Sequence, residues 1–167
     1  VATVNYNGRH YVGDLLHSLR LLTHRPAAVF VVDNASTDGS AEFVRRGFPE
    51  VEVIANRVNS GFTGGVNACM RRCLDAGYDA LLLVNPDTVA DPSMLEGLTA
   101  AATRHPRGLL SPAICFADEP NVLDTYVGDV VWWRGRSSAR YLGGLVGAGP
   151  LHDEAVETAS GCCLFVP

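Results

Sequence analysis

Four polar stretches hold the residues whose types and spacing could do chemistry: Asn5-Tyr6-Asn7, Asp33, Asn59 to Asn67, and Asn85 with Asp87. An ionised aspartate only accepts hydrogen bonds. Asp33 would therefore match a ring N–H flanked by carbonyls, as in uracil or thymine, and repel the ring-nitrogen acceptors of cytosine and adenine. The same residue type equally suits a helix N-cap or an Asx-turn. Tyr6 offers a ring face on which a base could stack, typically worth about 1–3 kcal/mol, or a ring for ordinary core packing. Asp87 follows a proline in "LLLVNPDT". One carboxylate beside a diphosphate suits Mg²⁺ or Mn²⁺, which bind through one or two carboxylates plus phosphate oxygens. Such an ion neutralises a leaving diphosphate as its bond breaks. A plain Asp-Thr turn is the other reading. In "NSGFTGGVN", Gly61, Gly64 and Gly65 carry an entropic cost that wants a reason. Gly64 and Gly65 are expected to open a helix whose free amides face an anion.

The elements that must position these residues follow from periodicity. "VATVNY", "AAVFVV", "VEVIA" and "ALLLVN" read as strands, the last apolar on both faces as in the middle of a parallel sheet. Between them, "YVGDLLHSLRLL" places Tyr11, Leu15, Leu16, Leu19 and Leu22 on one helical face. Ser40 to Arg46 reads as a short helix, and "GGVNACMRRCLDAG" as one with two arginines on its polar side. "DPSMLEGLTAAATRH" starts with Asp91 as N-cap and Pro92 at the first helical position. The alternation predicts an α/β fold: a Rossmann-like, mostly parallel sheet flanked by helices, with right-handed crossovers. All four polar stretches then fall at the carboxyl ends of parallel strands and share one rim. Open α/β sheets bind ligands there.

Composition bounds the rest. At 167 residues, 47% of them hydrophobic, the chain reads as a single domain. A net charge of −5 provides no basic footprint, so nucleic acid is not an expected partner. No stretch approaches the roughly 20 apolar residues of a membrane span. The five cysteines lack the spacing of a disulfide framework or a metal site and read as reduced thiols, which suits a cytoplasmic protein. Both ends lie inside strand-like runs, as though internal to a longer chain. Beyond Leu110, prolines, glycines and aromatics break the alternation, and loops with short antiparallel strands are expected.

Taken in order, "VNYNG", "VVDNASTDGS", "NSGFTGGVN", "LLLVNPDT" and "ETASGCCLFVP" resemble family 2 inverting glycosyltransferases of the GT-A fold, in particular the rhamnosyltransferase-like branch. The likeness is strong over 1–110 and weak over 111–156, and it implies a nucleotide-sugar-binding half at 1–110 and the start of an acceptor-binding half at 111–167. It implies a UDP- or dTDP-sugar donor held by Asn5, Tyr6, Asn7, Asp33, Asn59, Gly64, Gly65, Asn67 and Asn85, with Asp33 on the pyrimidine and Tyr6 packed against it. It places Asp87 as the last carboxylate of the metal motif. This chain has Asn85 where many relatives have Asp, which puts metal dependence in question.

The acceptor implied is a saccharide or a lipid-linked sugar, in bacterial cell-surface polysaccharide synthesis. The cytoplasm is the expected location, with peripheral association at the inner membrane face left open. Ser160 and Gly161 border the acceptor site, and Glu157, just before "SGCCLFVP", reads as acceptor-binding or structural and only as a weak candidate for the catalytic base. Relatives carry that base in an acidic segment after the strand resembling "SGCCLFVP", so it is expected past Pro167. Trp132 and Trp133, with Arg134, Arg136 and Arg140, could hold the acceptor or simply form a β-hairpin. Two rival readings remain. A sugar nucleotidyltransferase would want a glycine-rich basic loop after the first strand, and "NYNGRHYVG" is poor in that. The other is a nucleotide- or sugar-binding remnant without catalysis.

Overall fold

A computed structural model describes residues 1–125, 127–131, 136–140, 143–147 and 155–167. The first two thirds alternate as expected: β1 (Ala2–Asn5), α1 (Arg9–Leu19), β2 (Phe30–Asp33), α2 (Ser40–Gly47), β3 (Glu52–Ala55), α3 (Gly61–Asp75), β4 (Leu81–Val84) and α4 (Met94–Arg104). Short strands follow: β5 (Ile114–Cys115), β6 (Leu123–Thr125), β7 (Val127–Val131), β8 (Arg136–Arg140) and β9 (Cys163–Val166). The central sheet runs β3-β2-β1-β4-β9, parallel except for β9, which pairs antiparallel with β4. β5 with β6 and β7 with β8 form separate antiparallel pairs.

Every residue of β2 and β4 is buried, as expected of strands covered on both faces. Alternate side chains feed two cores. Val31, Leu82, Val84, Cys163 and Phe165 pack with Val12, Leu15, Leu16, Leu19, Val44, Leu95 and Leu98 of α1, α2 and α4. Ala2, Phe30, Val32, Leu81 and Leu83 pack with Cys69 and Cys73 of α3. Each large apolar side chain so buried contributes about 1.5–3 kcal/mol. The ion pairs Arg20–Glu50, Glu42–Arg46 and Glu52–Arg72 are solvent-exposed, and pairs of that kind contribute about 0–1 kcal/mol each. Packing, not charge, holds this fold.

Three sequence expectations need adjusting. Tyr11 is 58% exposed, because the apolar stripe of α1 runs through Val12 in its place. The helix at Asp91 acquires its regular pattern only from Met94, although the Asp91 carboxylate does accept the Ser93 amide at 2.8 Å. Finally, α3 begins at Gly61, so Gly64 and Gly65 lie within its first turns rather than opening it. Their backbone N–H groups face along the helix, and the absence of side chains has a packing reason instead. A Cβ on Gly64 would meet Ser60 at 2.4 Å, and one on Gly65 would meet Val4 at 2.4 Å.

Candidate functional site

The strand order reverses direction between β1 and β4: the chain steps from β1 through β2 to β3, then crosses back to the other side of β1. Ligands of open α/β sheets sit in the crevice this reversal leaves at the carboxyl ends. Tyr6 follows β1 there and is 53% exposed, so its ring is not core packing. Asn85 and the exposed Asp87 follow β4. The start of β9 closes the far side, where the Asn85 amide donates to the Cys162 carbonyl at 2.8 Å. The Thr88 hydroxyl lies 3.4 Å from the Cys162 sulfur, and the Ser160 hydroxyl accepts the Cys162 amide at 3.2 Å. A small crevice between α3 and β4 is lined by Phe62, Val66, Asn85 and Gly161 among others. Strand β9 and the Asp87 loop are thereby tied together.

Two side-chain clasps shape the rim on the β2 side. In the first, the loop after β1 is stitched to the loop after β2. The Asn5 amide donates to Ser40 Oγ at 2.8 Å and to Asp33 Oδ1 and Ser36 Oγ, both at 3.3 Å. The Asn7 amide donates to Ser36 Oγ at 3.0 Å, while Asn7 Oδ1 accepts the Thr37 amide at 2.8 Å. The Arg9 amide donates to Asp38 at 3.0 Å. Burial pushes the Asp38 carboxyl upward, yet hydrogen bonds from the Ser40 hydroxyl and from the amides of Arg9 and Ser40 outweigh it and hold the group below the ordinary value. The second clasp centres on Asn34, which is 2% exposed. Its amide donates to Asn59 Oδ1 at 2.7 Å and to the Gly61 carbonyl at 3.1 Å. Its Oδ1 accepts from Asn56 and from both the amide and hydroxyl of Ser60, each at 3.1 Å. Ala35, next in the chain, is held at φ +64°, a left-handed conformation that costs an alanine about 1–2 kcal/mol.

Asp33 itself is 4% exposed. Its Oδ2 accepts the Ser36 amide at 3.1 Å and its Oδ1 accepts the Asn5 side-chain amide at 3.3 Å, while the Ser40 hydroxyl, 3.4 Å from Oδ1, gives its one proton to Asp38. The bond from Ser36 reaches three residues along the chain, one further than an Asx-turn, so Asp33 ties down its own loop without forming the Asx-turn itself. A carboxylate has about four acceptor positions, two on each oxygen, so Oδ2 retains capacity for one further donor beyond the Ser36 amide.

The structure thus gathers Tyr6, Asn7, Asp33, Asn85, Asp87, Ser160 and Gly161 around the switch point. Asn5 lies behind the rim, fully buried, so it serves the site through Asp33 and not by contact. Asn59 works as a partner of Asn34, and Asn67 is exposed on α3. Glu157 is exposed shortly before β9. Trp132, Trp133 and Arg134 lie outside the described residues, and of Arg136 and Arg140 only the strand is described. Sequence reasoning left out Asn34, Ser36, Ser40 and Asn56, and included Ser60 only within the stretch 59–67. The density of Asn and Ser just past the ends of β2 and β3 is the signal for them.

For a divalent ion, the loop after β4 offers the exposed carboxylate of Asp87 near a neutral Asn85, its second carboxylate, Asp91, being engaged by Ser93. Among the described residues no cluster of three His, Cys, Asp or Glu side chains could hold a metal. The site fits an ion shared with a ligand's diphosphate, not a protein cage. A cavity of about 140 Å³ lined by His24, Phe30, Tyr78, Leu81 and Leu95 lies toward the opposite, amino ends of the strands, away from these carboxylates. Among the described residues no helix is long and apolar enough to cross a membrane.

Residues 1–148 match the family described as Glycosyl transferase family 2. The chain is similar to an N-acetylglucosaminyl-diphospho-decaprenol L-rhamnosyltransferase from Mycobacterium tuberculosis, with 32% identity over 123 residues, 68% of this chain and 40% of that protein. It therefore spans about 40% of the length of the relatives it matches in sequence. Among solved structures, S. aureus TarS 1-349 in complex with UDP superposes with a TM-score of 0.60 at 22% identity, over 76% of this chain and 40% of that one. The mannosyltransferase PcManGT from Pyrobaculum calidifontis, in complex with GDP-Man and Mn2+, also gives a TM-score of 0.60, at 20% identity over 69% of this chain and 34% of that one. These likenesses establish a GT-A fold.

Proposed function

Because the chain belongs to glycosyl transferase family 2, we propose that it binds a UDP- or dTDP-sugar across the β1–β4 switch point and takes part in inverting transfer of the sugar to an acceptor hydroxyl. One observation carries this reading. Tyr6, Asp33, Asn85, Asp87 and the start of β9 converge at the single place where a doubly wound sheet opens to a ligand. Asp33 Oδ2 accepts the pyrimidine ring N–H, and the exposed Tyr6 ring stacks on the base. Cytosine and adenine present an acceptor where Asp33 needs a donor, so they are disfavoured.

Asp87 would hold Mg²⁺ or Mn²⁺ together with diphosphate oxygens. The ion supplies charge neutralisation for the departing nucleoside diphosphate. Ser160, Gly161 and Glu157 border the acceptor, and the link between Asn85 and Cys162 keeps that border in register with the donor loop. The name of the M. tuberculosis relative speaks for a lipid-linked acceptor and for rhamnose as the sugar. On this reading the protein acts in cell-surface polysaccharide synthesis, in the cytoplasm at the inner membrane face.

The test is calorimetry and thermal shift with UDP, dTDP, CDP and ADP. UDP and dTDP are expected to bind, with a stabilisation of about 2.7 kcal/mol at a hundred times the dissociation constant. CDP and ADP are expected to bind much more weakly. Equal affinity for all four would overturn the base assignment, and no binding by any would overturn the donor site.

A further inference from the structure

Asn5 is buried to 0% exposure, yet the side chain sits at the junction of the two loops that form the base-binding side of the rim. Its amide nitrogen lies within reach of three acceptors from the loop after β2: Asp33 Oδ1, Ser36 Oγ and Ser40 Oγ. The ionised Asp33 carboxylate can only accept, which fixes the orientation of the Asn5 amide with nitrogen toward it. Asn5 Oδ1 then points the other way, with no hydrogen-bond partner. It occupies the space that a Cβ on Gly8 would need, 2.4 Å from that position. The glycine is what lets Asn5 stand where it does.

Three consequences follow from this geometry. Asp33 Oδ1 is engaged inward by the Asn5 amide, with Ser40 Oγ packed 3.4 Å from it, so Oδ2 is the oxygen left to receive a donor from a ligand. Rotation of the carboxylate would exchange the two oxygens, and the buried Asn5 amide opposes that rotation. Ser36, whose own amide donates to Oδ2, is held by the same Asn5 group. We propose that Asn5 is a specificity-determining positioning residue. By anchoring Asp33 Oδ1 and Ser36, it presents Oδ2 to the ring N–H of a uracil or thymine base. This rests on the reading of Asp33 given above.

The test compares UDP and CDP affinities of the native chain with those of Asn5→Ala, Asn5→Ser and Gly8→Ala, alongside thermal unfolding of each. Loss of one oriented hydrogen bond should lower the UDP-to-CDP affinity ratio about tenfold in Asn5→Ala. Serine keeps a donor at the position and should recover part of the ratio. Gly8→Ala, which displaces Asn5 without removing its amide, should also reduce it. A purely structural role would weaken both nucleotides together and leave the ratio unchanged; that result overturns the proposal. If the alanine variant does not fold, Asn5→Ser and Gly8→Ala decide by the same ratio. A native chain that binds UDP and CDP equally would show instead that the Asp33 reading had failed, and this proposal with it.

Discussion

Gly65 rests directly on Val4: a Cβ built on the glycine would lie 2.4 Å from Val4 Cγ1 and 2.9 Å from Cγ2. That approach sets α3 against β1 on the face where Cys69 and Cys73 complete the core. It also brings the amino end of α3, with Phe62 and Val66, to the crevice shared with Asn85 and Gly161. The glycine therefore links packing to the position of the site.

Gly65→Ala should destabilise the protein by about 1–3 kcal/mol, the usual cost of overpacking a closed contact. Gly97 is the control, since it lies in α4 and a Cβ added there would meet nothing within 4 Å. At that position alanine should stabilise by about 0.4–1 kcal/mol through the unfolded chain. Urea unfolding of both variants measures this. A Gly65→Ala protein as stable as the native one would mean that α3 can shift away from the sheet freely.

Ala35 stores strain in the loop after β2. Its φ of +64° is imposed by neighbours on both sides, since Asp33 caps Ser36 and Asn34 is bound to the loop after β3. Ala35→Gly should raise stability by about 1 kcal/mol by relieving that conformation. A fall in melting temperature would show that the Ala35 methyl makes packing contacts worth more than the strain.

The sequence made the frame of this molecule legible because its central strands β2 and β4 are short and buried on both faces. "FVVD" and "LLLV" could hardly be anything but central strands, and Asp33 and Asn85 had to emerge at their carboxyl ends. What it could not disclose were partners. Asn34 and Asn59 are 25 residues apart, and Asn7 and Thr37 are 30 apart. An asparagine after a strand looks the same whether it makes a local turn or clasps another loop. The start of α3 differs from its sequence expectation for a related reason. The Gly61 amide is capped by Asn59 Oδ1 at 2.9 Å, whereas the glycine pair at 64 and 65 is the more conspicuous signal. "Asn-Ser-Gly" is the better start signal, since Asn and Ser are both strong N-cap residues.

Acid should loosen the first clasp. The Asp38 carboxyl is held below its ordinary value in the folded protein, so its contribution is fully present above the unfolded value of 3.8 and is lost as pH falls through the lower folded value. Asp38→Asn should therefore show a shallower loss of stability below about pH 4 than the native protein. Thermal melts across that range check it. Parallel acid limbs would mean that the Arg9 and Ser40 bonds to Asp38 contribute nothing.

Thiol chemistry separates the site from the core. All five cysteines are free. Burial pushes the Cys163 thiol up to about 12 and the Cys69 thiol up to about 11, so both should resist labelling at pH 8. Cys73 is buried as well, while Cys115 and Cys162 are half-buried. Mass spectrometry after brief alkylation should find label on Cys115 and Cys162 first. Bound UDP with Mn²⁺ should slow Cys162, which adjoins Thr88, and leave Cys115 unchanged. Equal protection of the two would place the ligand elsewhere.

Metal dependence turns on Asp87. It is exposed and lies close to Asn85, whose backbone N–H is already committed to Cys162, while the loop's other carboxylate, Asp91, accepts from Ser93 at the start of α4. A single carboxylate makes a poor site alone, so Mn²⁺ should bind weakly without nucleotide and markedly better with UDP. Adding Mn²⁺ should then raise UDP affinity by at least about tenfold, a gain of about 1.4 kcal/mol. Asp87→Ala should abolish that gain without lowering the melting temperature, because no core residue depends on it. Asn85→Asp offers the ion a second carboxylate and should strengthen Mn²⁺ binding. UDP affinity that ignores EDTA in the native protein would remove the metal role and leave Asp87 as the turn residue of "NPDT".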